Sequence, residues 1–220
     1  MAVSTIGVLG LGLFGVSVAR TLADNNVDVI AIDKNMDHVE EVLDEVAVAV
    51  QGDFTKIDHL IEAGFSDCDQ VVVAAAEKLE DSILAILNLK KLGIDEITVK
   101  TKNQDYQEVL LKVGATRVIL PEVEMGVQIA IMLANPTVHE LLKLDNNYNI
   151  VEFPFQPAWV GKSIVEIDFR KRYKTNIIAV RPAQTNEFTI EFGPNYVVQE
   201  GDIFLGVSPD EVVKDLVNNS

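Results

Sequence analysis

A short apolar run, Thr5–Leu9, ends in Gly10–Leu11–Gly12–Leu13–Phe14–Gly15, and helical character follows from about Phe14 to Ala23. A strand, a G-x-G-x-x-G turn and a helix in that order commit the chain to a βα unit of one kind. Gly10 permits the tight turn, Gly12 lets backbone approach a phosphate, and Gly15 lets the helix pack closely on the strand. The helix start offers N–H groups and the positive end of its dipole to an anion. A second apolar run, Val27–Ile32, is followed by Asp33. A carboxylate there can accept hydrogen bonds from ribose hydroxyls and would repel a 2′-phosphate. The glycine pattern alone also occurs in turns that merely pack a βα unit; the acid at this spacing favours a nucleotide.

The alternation continues to about Leu120. Strands are expected at Thr5–Leu9, Val27–Ile32, Val46–Val50, Val71–Ala75, Glu96–Lys100 and Arg117–Leu120. Asp37–Glu45, Lys56–Ala63, Glu80–Leu92 and Tyr106–Val113 carry apolar residues at helical spacing between them. Continuously apolar strands alternating with helices indicate a parallel sheet covered on both faces. Residues 1–120 are therefore expected to form a Rossmann-like, doubly wound α/β domain, whose ligand lies beyond the strand C-termini at the switch point. The strand ends offer Gly10–Gly15, then Asp33 and Lys34, then Gly52–Asp53–Phe54, then Ala74–Ala75–Ala76–Glu77, and last Lys100. The small residues of the fourth end leave room for a sugar or base. Lys100 is either a phosphate contact or a solvated strand-end lysine. Asp53 either binds ligand or caps the helix after it.

Beyond Pro121 the pattern changes. Glu122–Ala134 reads as a helix apolar around most of its circumference, where a helix closing such a domain should keep a polar outer face. It is either a crossover arm packing on a second subunit or a core helix of the same chain. Glu122 by position is a helix-start acid. Asn135–Pro136 breaks the helix and Val138–Leu144 is expected as a second, shorter one, so that 121–146 form the arm. The polar joint Asp145–Asn149 then opens a small α+β domain, 147–220. Its strands are expected at Ile150–Pro154, Asn176–Arg181, Thr189–Phe192 and Asp202–Gly206, and its helices at Ser163–Arg172 and Pro209–Val217.

The net charge of −16 disfavours nucleic acid as a partner, because phosphate binding needs clustered cations. No apolar run reaches the length of a membrane span, and nothing at the N-terminus resembles a signal segment, so a cytoplasmic protein without direct membrane insertion is expected. The single cysteine, Cys68, lies between Asp67 and Asp69, which raise a thiol pKa, and reads as structural. A nicotinamide dehydrogenase needs a proton donor beside its substrate. His38, His59 and His139 read instead as surface or interface residues, and no phosphate loop, nucleophile elbow or metal-ligand pair appears. A nucleotide site without catalytic equipment points to sensing, with an NAD-dependent oxidoreductase as the alternative.

Along its whole length the chain resembles the KtrA/TrkA-type regulatory subunits of potassium uptake systems, in which an RCK (TrkA-N) domain precedes a TrkA-C domain. The resemblance rests on G-L-G-L-F-G at Gly10–Gly15, Asp33, G-D-F-T at Gly52–Thr55, V-K-T-K-N at Val99–Asn103, and above all G-A-T-R-V-I-L-P-E-V-E-M-G at Gly114–Gly126. In the last third, Gly161–Arg170 and Gln199–Phe204 match TrkA-C strings. The resemblance implies a non-enzymatic gating subunit on the inner face of the cell membrane. It implies a homodimer through the arm, an octameric ring of dimers, and a separate membrane-embedded potassium-translocating partner. ATP or ADP, or NAD(H), would bind at Gly10, Gly12, Leu13, Phe14, Gly15, Asp33, Lys34, Asp53, Phe54, Ala74, Ala75, Ala76 and Lys100. Glu122 matches a glutamate that helps hold a divalent cation, Mg or Ca, near the phosphates. Leu13 departs from an arginine that many members place against the terminal phosphate; Lys34, Lys56 and Lys100 are the cations that could substitute. Cyclic di-AMP, bound by some relatives, would meet Ile164, Val165, Asp168, Arg170, Asn176, Ile177 and Ile178. The four aliphatic residues among these are also expected core or dimer contacts.

Overall fold

The computed structural model describes residues 4–74, 78–134, 139–144, 147–185, 187–213 and 216. The chain divides into two compact units, 1–125 and 126–220.

The first unit carries six strands, β1 (Thr5–Leu9), β2 (Asp28–Asp33), β3 (Val48–Gln51), β4 (Gln70–Val73), β5 (Glu96–Lys100) and β6 (Arg117–Ile119). All pair in parallel, in the order β3-β2-β1-β4-β5-β6. Helices α1 (Leu13–Asp24), α2 (Met36–Glu40), α3 (Ile57–Glu62), α4 (Leu79–Lys91) and α5 (Tyr106–Val113) connect them, and α6 (Pro121–Ala134) leaves the last strand. Successive strand residues point to opposite faces, so both faces need cover. Val8, Val29 and Ala31 pack with Val16 and Ala19 of α1 and Val39 of α2. Leu9, Ile30, Ile32 and Val71 pack on the other side with Leu60 of α3, Ile86 and Leu89 of α4, and Phe65. This is the doubly wound Rossmann-like arrangement, and the order reverses between β1 and β4.

Register places the strand ends level. Leu9 lies opposite both Ile32 and Val73, and Val73 opposite Val99. Gly10, Asp33, Ala74 and Lys100 are therefore the next residues along four adjacent strands. Cys68 is buried in the same core, and its thiol is pushed up to about 12, first by burial and then by Asp67 and Asp69.

The second unit has a four-stranded antiparallel sheet, β7 (His139–Lys143), β8 (Tyr148–Pro154), β10 (Ile203–Pro209) and β9 (Asn176–Arg181), in the order β7-β8-β10-β9. Helices α7 (Ile164–Ile167), α8 (Phe169–Tyr173) and α9 (Asp210–Val213) complete it. Phe153, Trp159, Ile167, Phe169, Val180 and Phe204 form its core.

Three expectations change here. The segment Val138–Leu144 is not a helix. Its described part is strand β7, paired along β8, because an adjacent β-edge supplies hydrogen bonds that outweigh the helical propensity of H-E-L-L-K. Thr189–Phe192 forms only a bridge, between Thr189 and Val180. The helix expected over Ser163–Arg172 is two short ones. Asp168 takes the left-handed conformation, φ 51°, between them. Ile167 and Phe169 are both buried, and two residues apart on one straight helix they would face different sides.

On α6 the described side chains from Glu122 onward are exposed, including Met125, Ile129 and Leu133. Within one chain it is not a core helix. No described helix is long and apolar enough to cross a membrane.

Candidate functional site

Gly10 has φ +93°, a conformation that disfavours any side chain, and its N–H donates to the Ile32 carbonyl at 2.8 Å. The chain thus turns at the end of β1 while tied to the end of β2. Gly12 is the N-cap of α1, and a Cβ there would meet nothing within 4 Å. The first-turn N–H groups of Leu13, Phe14 and Gly15 receive no side-chain cap. That is the geometry a phosphate uses: open space above glycine and donors aimed outward.

Asp33 is nearly buried, and its carboxylate accepts from the Leu11 N–H at 2.5 Å and from the Asn35 N–H at 2.8 Å. Its other neighbour is His38, whose Nδ1 lies 3.4 Å from Oδ1, an ion-pair distance rather than that of a good hydrogen bond. The sequence presents Asp33 as a ribose acceptor; the structure adds a second duty, bracing the glycine turn. Replacing Asp33 by Ala should strand the buried Leu11 N–H and destabilise the first unit by about 1–3 kcal/mol. Asp33→Asn, which keeps one acceptor oxygen, should lose less, as urea unfolding followed by circular dichroism would show.

The third strand end is a self-contained turn. Asp53 accepts from the Thr55 N–H at 3.0 Å and the Thr55 hydroxyl at 2.6 Å, and pairs with Lys34 at 3.2 Å. Burial acts against its charge, but these partners prevail and hold the carboxyl below its usual range. The Asp53 N–H donates to His59 Nδ1 at 2.9 Å. His59 is thus no idle surface residue: it fixes the loop from the first turn of α3. From sequence it reads as a surface or interface residue, because only the fold of the G-D-F-T turn brings it to the Asp53 N–H. Phe54 is buried, and Lys34 Nζ stands 5.6 Å from its ring centroid.

On the other side of the switch point, Ala74 donates its N–H to the Leu9 carbonyl. A Cβ on Gly15 would lie 3.2 Å from the Ala74 methyl, so the two small residues keep helix and strand close. Ala75, Ala76 and Glu77 lie outside the described residues. Lys100 Nζ is 2.9 Å from Glu122 Oε1 and 5.2 Å from the centroid of the Phe14 ring. That pairing holds Glu122 below the usual carboxylate range, with a smaller contribution from Lys102. Lys56 is exposed at the N-cap of α3, and Leu13 is 91% exposed on the first turn of α1. The site thus gathers Gly10–Gly15, Asp33, Ala74, Lys100 and Glu122 around one helix N-terminus, with the Lys34–Asp53 pair at the next strand.

A divalent cation needs several hard oxygen ligands. Among the described residues no three of His, Cys, Asp and Glu stand together, and Glu122 already has an ammonium partner. One chain by itself does not fit such an ion.

In the second unit, Ser163 caps α7 in a reciprocal box with Glu166. Ile164 and Ile177 pack on the core, Val165 is exposed, and Ile178 sits at the irregularity between β9 and β10. Arg170 Nε donates to Asn176 Oδ1 at 2.8 Å. Asp168 is the left-handed residue between α7 and α8.

The parallel order, the glycine turn under an open helix end and the acid bracing it define a nucleotide-fold domain of the dinucleotide-binding kind, joined to a small antiparallel domain. The TrkA-N domain family model matches residues 6–121 and the TrkA-C domain model residues 150–218, and the chain belongs to this TrkA family. It is 36% identical over 174 residues to Ktr system potassium uptake protein C of Bacillus subtilis, covering 79% of each chain. It is 31% identical over 208 residues to Ktr system potassium uptake protein A of the same organism, covering 94% of this chain and 86% of that one. Among solved structures, the GsuK channel bound to NAD matches at 22% identity with a TM-score of 0.54, over 97% of this chain. The chain spans 38% of that channel's length, and the likeness is one of fold.

Proposed function

We propose that this chain is the regulatory subunit of a Ktr-type potassium uptake system and that it senses an adenine nucleotide at the Gly10–Gly15 turn. The observation that carries the reading is the uncapped start of α1 above Gly12, braced by Asp33, inside a domain that matches the TrkA-N model. Relatives named for potassium uptake over most of their length supply the transport half of the proposal. The polar groups around the turn are occupied in holding it, which suits a sensor better than an enzyme.

ATP, ADP or NAD(H) would lay its phosphates on the first turn of α1 and its ribose against Asp33. A ligand shifts a conformational equilibrium only through its different affinity for the two states, and about 1–3 kcal/mol is typical. The exposed apolar surface of α6 supports a homodimer through that helix, which would recur in a ring of dimers beneath the membrane partner. A cation at Glu122 would take its remaining ligands from phosphate oxygens and a second subunit. Cyclic di-AMP at Ile164, Val165, Asp168, Arg170, Asn176, Ile177 and Ile178 is a second input of the same proposal.

The test is potassium uptake by cells that carry a Ktr membrane subunit but lack its regulator. Supplying this chain should restore uptake, and supplying Gly12→Asp, which places a carboxylate where the phosphate belongs, should not. Equal uptake with both would overturn the nucleotide reading, and no restoration by the unaltered chain would overturn the transport reading.

A further inference from the structure

We infer that the Glu122 carboxylate occupies the phosphate's place on Lys100, so that Glu122 is a built-in competitor of the ligand. The inference rests on reading the glycine turn as a nucleotide site.

Lys100 is the last residue of β5, and its side chain is only 15% exposed. Its ammonium lies 5.2 Å from the centroid of the Phe14 ring, and Phe14 belongs to the first turn of α1. The anion paired with it is Glu122, whose Oε1 lies 2.9 Å from Nζ. The carboxylate comes from the start of α6, and its side chain is 51% exposed. Its carboxylate is held first by Lys100, then by its own backbone N–H, and least by the more distant charge of Lys102.

A phosphate on the first turn of α1 carries more charge than one carboxylate and accepts from the helix N–H groups as well. It would take the ammonium and release Glu122. The Phe14 ring, 5.2 Å from the ammonium, holds it near the first turn of α1 during the exchange, which makes Phe14 a positioning residue. The released carboxylate belongs to the first turn of α6, the helix in which the chain passes from the first unit to the second. Occupancy is then felt at that helix without a direct contact between ligand and α6.

The experiment is calorimetric titration of the full-length protein with ADP and, separately, NADH, in the presence of a chelator so that no divalent cation bridges Glu122 to phosphate. E122Q should bind about two- to fivefold more tightly than the unaltered protein, the worth of one partly exposed ion pair. K100M should bind more weakly, and adding E122Q to K100M should change nothing further. K100Q, which keeps a polar end, is the companion variant in case K100M is unstable. Unchanged or weaker binding by E122Q, or the same gain in the K100M background, overturns the inference while leaving the nucleotide reading intact. Absence of binding by every variant, the unaltered protein included, overturns both.

Discussion

Gly15→Ala should be among the most damaging single-methyl changes in the first unit. A Cβ at this position would lie 1.9 Å from the Gly10 carbonyl oxygen and 2.9 Å from the Gly10 carbonyl carbon. Both atoms are backbone, and Gly10 is held by its φ of +93° and its bond to Ile32, so neither can yield without opening the turn. Helix α1 must lift off β1, disturbing Val16 and Ala19, which cover one face of the sheet. The expected loss is about 2–4 kcal/mol, at the upper end of what overpacking costs, together with loss of nucleotide binding. Gly12→Ala is the matched control. Its Cβ meets nothing, and its φ of −68° suits alanine. Stability should fall by only about 0.5–1 kcal/mol, because an N-cap prefers glycine to alanine, while phosphate approach is obstructed. Urea unfolding of the two variants separates a packing glycine from a binding glycine; equal stabilities would contradict the assignment.

Asp202→Ala should do comparable harm in the second unit. Asp202 is 1% exposed and accepts three hydrogen bonds, from the Tyr196 hydroxyl and the Gln199 N–H at 2.8 Å each and from the Ala183 N–H at 3.3 Å. It ties the turn before β10 to the segment after β9. Removing the carboxylate strands three donors at once, for an expected loss of about 3–5 kcal/mol. Trp159 is the only tryptophan and sits in this unit's core, so its fluorescence reports the unfolding directly. Burial, reinforced by the Asp202 hydrogen bond, raises the Tyr196 phenol above its ordinary value of 10. The folded state therefore holds that proton more firmly than the unfolded state. The stability it lends is complete below about pH 10 and is lost as pH rises beyond it. Tyr196→Phe should flatten that alkaline decline; an unchanged slope would place the titrating group elsewhere.

The parts legible in the sequence are those fixed by local periodicity. Runs such as Val27–Ile32 and the glycine turn declare themselves because parallel strands buried on both faces are continuously apolar, and because φ > 0 at Gly10 needs glycine. The second unit was less legible, since its structure depends on distant pairing. H-E-L-L-K at 139–143 becomes a strand only because β8 offers an edge. The break at Asp168 follows from a core that demands both Ile167 and Phe169. At the site, sequence named Asp33, Lys100 and Glu122 but not their bonds. The Asp33 contact with Leu11 crosses between two strand ends, and the Lys100–Glu122 pair joins β5 to α6. Neither is encoded by spacing; both need the register that sets the strand ends level. His59 reads as a surface or interface residue for the same reason.

The most direct test of nucleotide sensing is a thermal-shift panel on the full chain with ATP, ADP and NADH, each with and without Mg²⁺. A ligand at one hundred times its dissociation constant stabilises the native state by about 2.7 kcal/mol, and a chain of this length responds by roughly 2–4 °C per kcal/mol. The account predicts a rise of several degrees with at least one of the three, abolished in Gly12→Asp. No shift with any of them, or a shift that survives in Gly12→Asp, would contradict it.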